Sequence, residues 1–521
     1  MTSVVGPEVR SASDRVLWVS WAVLFFLTAT WVVANPLMAS PDEPAHVVRA
    51  AAVVRGEWTG PDVQGGTQVE VPYYYNLTTG YPTCYMFRPE VTAVCNPPVT
   101  QDLDNVAAAV TPAGRYNPLY YLLVGTPTLL PSGDGVLYAM RLLSAALCTF
   151  FLALGFRALA STPRPGWAVL GPAGAVTPMV VFLSSTVNPA AIEIAAAFSL
   201  WCQLLTLLRH PDPALVARRM RWIALTSVLL VNARGLSLLY CAVIVGVVLV
   251  VSPWRNLVDV IRARSTWPSF AVIVAGCGAA LGWILGTNSL GSGGAVLDAG
   301  LGFKSAAVRT IADTNSYVTN MVGQFGWMDT NLATWVHMSY AAVLGLVVLV
   351  AMAVATWRER AGILLVAAAT LAIPVVVQGS QAKYLGIVWQ GRYMLPVAVG
   401  VALVAAYVTV SRTAALPSEL GPRLADMAAI GAAWVLSAAS ADNLHRYVNG
   451  ESGPWRSLAP DAWVPPLPVP LVAGLALAAV VAYALLIHWV ARRPGHPDLT
   501  SVTPAHAGAA SSFDRPPAPT S

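Results

Sequence analysis

The chain has 521 residues, of which 56% are hydrophobic and only 11% are charged, and its mean hydropathy is +0.62. A soluble protein carries about 25% charged residues, so this composition excludes a water-soluble globular protein. The net charge of +5 comes almost wholly from arginine, since Lys304 and Lys383 are the only lysines. Such a modest excess indicates no nucleic-acid partner, and membrane lipid is the expected surrounding.

Apolar stretches of about 20 residues cross the ~30 Å hydrocarbon core of a membrane. The first such stretch follows Arg10 and Arg15, as in a retained signal anchor. With the N-terminus inside, every inner connection contains arginine, as the positive-inside rule requires. The sequence therefore predicts an all-α polytopic protein of the inner (plasma) membrane. About twelve spans are predicted, at 16–38, 136–157, 167–187, 190–208, 222–233, 236–252, 269–287, 332–356, 362–378, 394–411, 425–441 and 468–490.

Two stretches are ambiguous in this topology. Asn232, Arg234 and Gly235 interrupt 222–252, which is either two short helices or one broken helix. Residues 117–131 are short for a span and contain Pro127; counting them would place the arginine-rich connections outside. We therefore interpret 117–131 as a juxtamembrane or re-entrant segment.

The chain then divides into a transmembrane domain and two tails. The domain covers 16–493, with a long first extracytoplasmic loop at 39–116 carrying juxtamembrane helices and a second large one at 288–331. We predict cytoplasmic tails at 1–15 and 494–521, the latter disordered because it is rich in Pro, Ala and Ser. Cys84 and Cys95 both fall in the first loop. An oxidising compartment would allow a disulfide between them, and two free thiols are the alternative.

An acidic segment follows the first span directly, with Asp42, Glu43 and His46 in the sequence PDEPAH. Pro44 suits the first turn of an amphipathic helix that Asp42 would cap. Near the lipid headgroups, Asp42 and Glu43 are candidate catalytic groups that accept a proton from a sugar hydroxyl or hold a divalent cation. The structural alternative is capping together with an Asp42–His46 pair.

Other polar groups gather at the outer ends of the predicted spans. Arginine at a helix mouth binds phosphate through its planar fork, which makes Arg392, Arg234, Lys304 and Arg115 candidate ligands of a donor phosphate. For Arg392 the alternative is snorkelling to lipid headgroups. Trp327 and Tyr393 are either substrate contacts or interfacial aromatics, and Glu193 is interpreted as a hydrogen-bonding group inside the bundle. The candidate substrate-binding residues are His46, Tyr116, Asn117, Asn188, Trp327, Asp329, Gln390 and Tyr393.

These motifs, in the order PDEPAH, RYNPLYY, STVNPAA, FGWMDT and WQGRYMLP, resemble an uncharacterised bacterial membrane-protein family within the GT-C glycosyltransferase superfamily. The resemblance covers roughly residues 16 to 411. It implies a GT-C-like helix bundle that uses a polyprenyl-phosphate sugar donor outside the cytoplasm, and a catalytic or acceptor-binding role for Asp42 and Glu43. Where that family often has an acidic residue after the NP turn, this chain has Ala190.

The resulting hypothesis is a membrane glycosyltransferase that moves a sugar from a polyprenyl-phosphate donor to a cell-envelope glycan or glycolipid. A polysaccharide polymerase or ligase is the nearest alternative, although such proteins carry their largest outer loop late in the chain. A transporter would show internal repeats and ionisable groups at mid-membrane. A flippase of lipid-linked sugars would share the arginines without requiring Asp42.

Overall fold

The computed structural model describes residues 7–95, 97–291 and 300–495, with side chains from residue 14 onward. Helices dominate the described chain, as the hydropathy predicts. They are α1 (Pro7–Ala34), α2 (Glu43–Val53), α3 (Tyr73–Leu77), α4 (Leu119–Val124), α5 (Asp134–Leu159), α6 (Pro165–Ala168), α7 (Leu170–Ala175), α8 (Pro178–Ser184), α9 (Pro189–Arg209), α10 (Val216–Val231), α11 (Ser237–Val251), α12 (Trp254–Arg262), α13 (Trp267–Thr287), α14 (Phe303–Ala312), α15 (Thr314–Gly323), α16 (Thr334–Val354), α17 (Trp357–Leu385), α18 (Leu395–Arg412), α19 (Leu420–Asn449) and α20 (Val469–Ala491). The strands are β1 (Asp62–Val63), β2 (Gly66–Pro72), β3 (Val106–Thr111), β4 (Gln324–Phe325) and β5 (Thr330–Asn331).

Nine helices of the described chain are long and apolar enough to cross a membrane, and two bent helix pairs raise the number to at most 11. The predicted twelve spans are therefore not confirmed. The predicted span 167–187 corresponds to two helical segments, Pro165–Ala175 and Pro178–Ser184, with a bend of 69° between them. Helices α11 and α12 likewise form a pair, with a bend of 117°. Helix α10 has only 16 residues and does not qualify as a span by itself. The segment 117–131 holds only the six-residue α4 and a 3₁₀ turn, so it is not a candidate span.

The helices α9 and α18 form the centre of the bundle. Buried residues make up 94% of the apolar window of α9 and 83% of that of α18, against 11% for α13 and for α16. Because lipid is as apolar as a leucine side chain, the exposed apolar faces of α13 and α16 are suited to lipid. The polar segments that precede α9 and α18 therefore meet at the same end of the bundle centre.

The loop 39–116, predicted to be extracytoplasmic, contains strands that the sequence does not predict. An antiparallel sheet in the order β1-β2-β3 pairs Thr67 with Thr111, so the chain is not purely helical. Sheet, α3 and α4 bury almost all of α2, which therefore does not lie on the membrane surface as an amphipathic helix would. Cys84 and Cys95 form a disulfide with their Cα atoms 5.8 Å apart.

The described part of the second predicted extracytoplasmic loop, 288–331, contains α14, α15 and a hairpin formed by β4 and β5. Gly326 and Met328 have positive φ angles of 60° and 64° in the tight hairpin turn. The two tails agree only in part with the prediction. Helix α1 begins at Pro7, within the predicted tail 1–15, while 496–521 lies outside the described residues.

Candidate functional site

Asp42 stands at the N-cap position of α2, but it does not cap the helix. Its backbone is left-handed, with φ 66°, and its side chain makes no capping hydrogen bond. Left-handed backbone is costly for a residue other than glycine, although aspartate tolerates it better than most. The strained backbone turns the carboxylate away from α2, and the side chain remains 48% exposed. The predicted capping role of Asp42 is wrong.

Arg392 reaches this carboxylate from a part of the chain 350 residues away. Its Nη2 lies 2.7 Å from Oδ2 of Asp42, although the arginine side chain is only 2% exposed. The backbone N–H of Arg392 donates to Oδ1 of Asn320 at 2.7 Å. A Cβ at Gly391 would overlap the carbonyl oxygen of Tyr317, so only glycine lets this turn pack so closely. Asn320 and Gly391 therefore fix Arg392 beside the acid.

The Arg392 guanidinium has unused hydrogen-bonding capacity. Its Nε is buried and has no partner within the described chain. An unsatisfied buried donor is costly, and it is most costly on a charged group. An oxyanion brought to this turn would supply an acceptor, so the arrangement suits an anionic ligand.

A second arginine stands next to the first, across the ring of Tyr393. The guanidinium carbons of Arg234 and Arg392 lie 4.7 Å and 5.4 Å from the centre of that ring. Arg234 also contacts the ring of Tyr116 at 6.0 Å and forms an ion pair with Glu193 at 3.4 Å. Glu193 accepts a further hydrogen bond from Ser237, which supports its interpretation as a group that acts inside the bundle.

A groove lined by Arg234 and Tyr393 opens between the ends of α11, α13 and α17, and Arg392 adjoins it through its contact with the Tyr393 ring. It encloses about 1070 Å³ including its mouth. Tyr116, Arg234 and Tyr393 line its polar end, and Nε1 of Trp389 there is buried with no acceptor in the described chain. Apolar side chains make up most of the remaining lining, among them Val231, Leu236, Ala280, Ile284, Val377, Leu385 and Val388, together with the polar residues Asn117, Ser289 and Gln381. The shape and lining suit a ligand with a charged head and a hydrocarbon tail.

Glu43, predicted as a second catalytic acid, has a different position from Asp42. Its side chain is 1% exposed, and Oε1 and Oε2 accept from Arg141 at 2.7 Å and 2.6 Å. The backbone N–H of Val187 also donates to it, at 3.1 Å. Arg141 further donates to the carbonyls of Asn35 and Pro36, at the end of α1. Glu43 therefore joins α1, α2 and α5, and we reassign it from catalysis to support of the acidic segment.

The two carboxylates also do not form a shared cation site as arranged. Asp42 faces Arg392, whereas both oxygens of Glu43 are occupied by Arg141. Across the described residues, no group of three or more His, Cys, Asp or Glu side chains is placed to hold a metal ion.

His46 is buried beside the site. Its Nδ1 lies 2.8 Å from the Tyr121 hydroxyl, so the predicted Asp42–His46 pair gives way to a His46–Tyr121 pair. Its ring also lies 5.5 Å from that of Tyr116. Burial lowers the pKa of His46 from 6.5 to about 3, so the imidazole stays neutral at physiological pH.

This burial predicts an acid sensitivity of stability that depends on His46. Below pH 6.5 the unfolded chain binds a proton at this residue, while the folded protein does not until about pH 3. Stability should therefore fall with decreasing pH in that window, by at most about 1.4 kcal/mol per pH unit from this group. Melting curves from pH 7 to 4.5 should show a smaller loss for His46→Gln than for the wild type. Equal pH dependence of the two proteins would contradict the prediction.

Three of the other predicted residues, Asn188, Asn117 and Trp327, make contacts that hold the site together. Asn188 caps α9 through the N–H of Ala190 and donates to the carbonyl of Pro41 at 3.3 Å. Asn117 donates to Asn232 at 2.9 Å. Trp327 donates to the carbonyl of Met38 at 3.3 Å. Gln390 precedes the Arg392 turn, and its Oε1 is buried with no partner in the described chain.

Three predicted residues lie away from the Asp42–Arg392 pair. Asp329 is buried and pairs with Arg446 at 3.3 Å, which ties the hairpin to α19. Arg115 pairs with Asp62 of the first loop. Lys304 is exposed on α14 and forms no ion pair with the described part of the chain. Asp329 is thus a structural group, and the structure does not bring Lys304 into the cluster.

Three important residues escaped the sequence analysis, namely Arg141, Asn320 and Arg446. Arg141 and Arg446 lie inside long apolar or mixed helices, where a buried arginine needs an acidic partner. This rule could have identified both arginines from the sequence. For Arg141 it indicates a partner in the acidic segment PDEPAH. Asn320 acts on the site by accepting a hydrogen bond from the backbone N–H of Arg392, and no pattern in the sequence indicates this contact.

A comparison with protein families identifies the chain once this geometry is known. The family model described as "Predicted membrane protein (DUF2142)" matches residues 25–401. The chain belongs to the DUF2142 family. The match includes both Asp42 and Arg392 and ends within α18, while α19 and α20 lie outside it.

Beyond this family of predicted membrane proteins, the comparisons found no similar protein. No curated protein and no solved structure matches this DUF2142 chain. The description of the family gives no activity, so the predicted place of the chain in the GT-C superfamily stays a prediction.

Proposed function

We propose that this DUF2142 protein is a glycosyltransferase that uses a polyprenyl-phosphate sugar and acts at the extracytoplasmic face. The acceptor is a glycan or glycolipid of the cell envelope. The observation that carries the proposal is the 2.7 Å contact between Asp42 and Arg392, next to a groove with a charged and an apolar end.

Arg392 takes the role of binding the departing phosphate. When the bond between the anomeric carbon and the phosphate oxygen breaks, its electron pair stays on that oxygen and negative charge develops there. A guanidinium fixed in advance beside this oxygen stabilises the charge without reorganisation. Arg234, whose guanidinium contacts the same Tyr393 ring, adds a second positive charge near that phosphate.

Asp42 takes the role of accepting the proton of the attacking hydroxyl. The acceptor oxygen forms the new bond to the anomeric carbon, its proton passes to the carboxylate, and polyprenyl phosphate leaves. The arriving phosphate competes with Asp42 for Arg392, which releases the carboxylate for this task. Binding of the donor phosphate to Arg392 therefore frees Asp42 to act as the base.

The groove takes the hydrocarbon chain of the donor. Leu236, Ile284 and Val377 line the same groove as Arg234 and Tyr393, so a phosphate held at Arg234 places its hydrocarbon chain against apolar side chains. Burial of the first isoprene units there contributes about 25 cal/mol per Å² of apolar surface.

The proposal predicts that Arg392→Gln lowers the rate constant of sugar transfer by about 100- to 1000-fold, the usual effect of removing one charge-stabilising donor. The purified protein would be incubated with a panel of radiolabelled polyprenyl-phosphate sugars and envelope acceptors. Release of polyprenyl phosphate and labelling of the acceptor would both be followed.

Arg309→Gln is the matched control, because Arg309 forms an exposed ion pair with Asp313 on the second outer loop. It should keep the wild-type rate. Wild-type protein that transfers no sugar from any donor of the panel, or Arg392→Gln with full activity, would contradict the proposed function.

A further inference from the structure

A second large cavity lies at the opposite ends of the central helices, the ends predicted to be cytoplasmic. It encloses about 1650 Å³ including its mouth, between the ends of α9, α11 and α18 and the start of α17. Four arginines line it, and among the described lining residues Glu359 is the only acid. These arginines are Arg164, Arg209, Arg358 and Arg412.

The positive charge of this cavity is only partly neutralised. Glu359 accepts from Arg209 at 2.6 Å and from Arg412 at 3.0 Å, so one carboxylate serves two arginines. Among the described residues, Arg164 donates only to the hydroxyl of Thr413 and Arg358 forms no ion pair. Nε of Arg209 is buried without an acceptor among the described residues. The cavity therefore has guanidinium groups and a buried donor for an anion.

The surroundings of the cavity indicate that it opens at the level of lipid headgroups. Trp254 and Trp357 are strongly exposed, and each directly follows a residue that lines the cavity. Exposed tryptophan is typical of the membrane–water interface. Helix α12 turns by 117° from α11 and carries exposed apolar residues together with Arg255 and Arg262, as an interfacial helix does.

We propose that this cavity binds the phosphate group of an anionic phospholipid from the leaflet on that side. The guanidiniums of Arg164 and Arg358, which form no ion pair within the described chain, hold the phosphate oxygens. The acyl chains remain in the surrounding leaflet. The site does not involve Asp42 or Arg392, so it is independent of the proposed transfer reaction.

Native mass spectrometry of the full chain in detergent tests the site. Dioleoyl phosphatidylglycerol would be titrated against dioleoyl phosphatidylcholine, for the wild type and for Arg164→Gln/Arg358→Gln. Each arginine near anionic lipid contributes about 1 kcal/mol, so the double variant should bind phosphatidylglycerol about 30-fold more weakly. The control is Arg221→Gln/Arg423→Gln, which removes two exposed arginines from the same face outside the cavity.

The expected result is wild-type preference for phosphatidylglycerol, kept by the control and lost by the cavity variant. Melting temperatures measured in phosphatidylcholine should be equal for all three proteins, which separates lost binding from lost folding. An equal loss in the control would mean unspecific attraction to basic residues and would overturn the proposal. Displacement of the lipid by millimolar inorganic phosphate would also overturn it, because the ligand would then be free phosphate.

Discussion

Asp42→Asn should lower the rate of sugar transfer by about 100- to 10,000-fold, the usual contribution of a positioned general base. Asparagine has nearly the same shape, but its amide cannot accept the proton of the acceptor hydroxyl and cannot form an ion pair with Arg392. The folded structure should persist, because the amide oxygen of asparagine still accepts a hydrogen bond from the buried Arg392 and the side chain at position 42 is about half exposed. Initial rates at saturating donor would measure the effect, with melting temperature as the check on folding.

Asp313→Asn is the matched control for this substitution, since Asp313 also pairs with an arginine on an outer loop, at 2.9 Å. It should transfer sugar at the wild-type rate. Full activity in Asp42→Asn would remove this acid from the mechanism. Transbilayer movement of a lipid-linked sugar without chemical turnover would favour the flippase alternative instead.

Breaking the Glu43–Arg141 pair should reduce the stability of the protein more than any other single change discussed above. Glu43→Ala leaves a buried guanidinium without its carboxylate, which costs about 3–5 kcal/mol. The segment that carries Asp42 would lose its attachment to α1 and α5 at the same time. Denaturant or thermal unfolding in detergent would measure the loss.

A double-mutant cycle separates this pair from unspecific damage. Glu43→Ala, Arg141→Leu and the double variant should show strong coupling, because removing both charges leaves no buried ion uncompensated. The Arg309–Asp313 pair gives the reference for an exposed ion pair, with an expected coupling of at most about 1 kcal/mol. Coupling of similar size in the two cycles would contradict the structural role of Glu43.

The sequence was most informative where physical rules act locally. Hydropathy located the long helices, and polar residues at span ends located Asp42, Arg234, Arg392 and Tyr393, which the structure brings together. The predicted topology places these span ends on one face of the membrane, so the sequence already indicates that the four residues share a site. The number of spans was less predictable, since bends of 69° and 117° depend on packing between helices.

The errors arose from contacts between distant parts of the chain. Asp42 and Glu43 are neighbours in sequence, but the left-handed backbone of Asp42 sends their side chains to different arginines. No local pattern indicates that conformation at an aspartate. Strands β2 and β3 are short and separated by α3 and a long connection, so their pairing depends on register rather than on an adjacent turn. Arg141 lies in a predicted span, and its acidic partner Glu43 is 98 residues away in the sequence.

The central claim is that Asp42 lies in an outward-facing site that accepts a polyprenyl phosphate. Its most direct test is the labelling of Asp42→Cys by a membrane-impermeant maleimide in intact cells, with Cys148, Cys202, Cys241 and Cys277 replaced by serine or alanine. We predict that Asp42→Cys is labelled from outside the cell and that a short-chain polyprenyl phosphate slows this labelling. Arg423→Cys should react only after the cells are permeabilised. Labelling of Asp42→Cys that requires permeabilisation would place the acid on the cytoplasmic side and contradict the account.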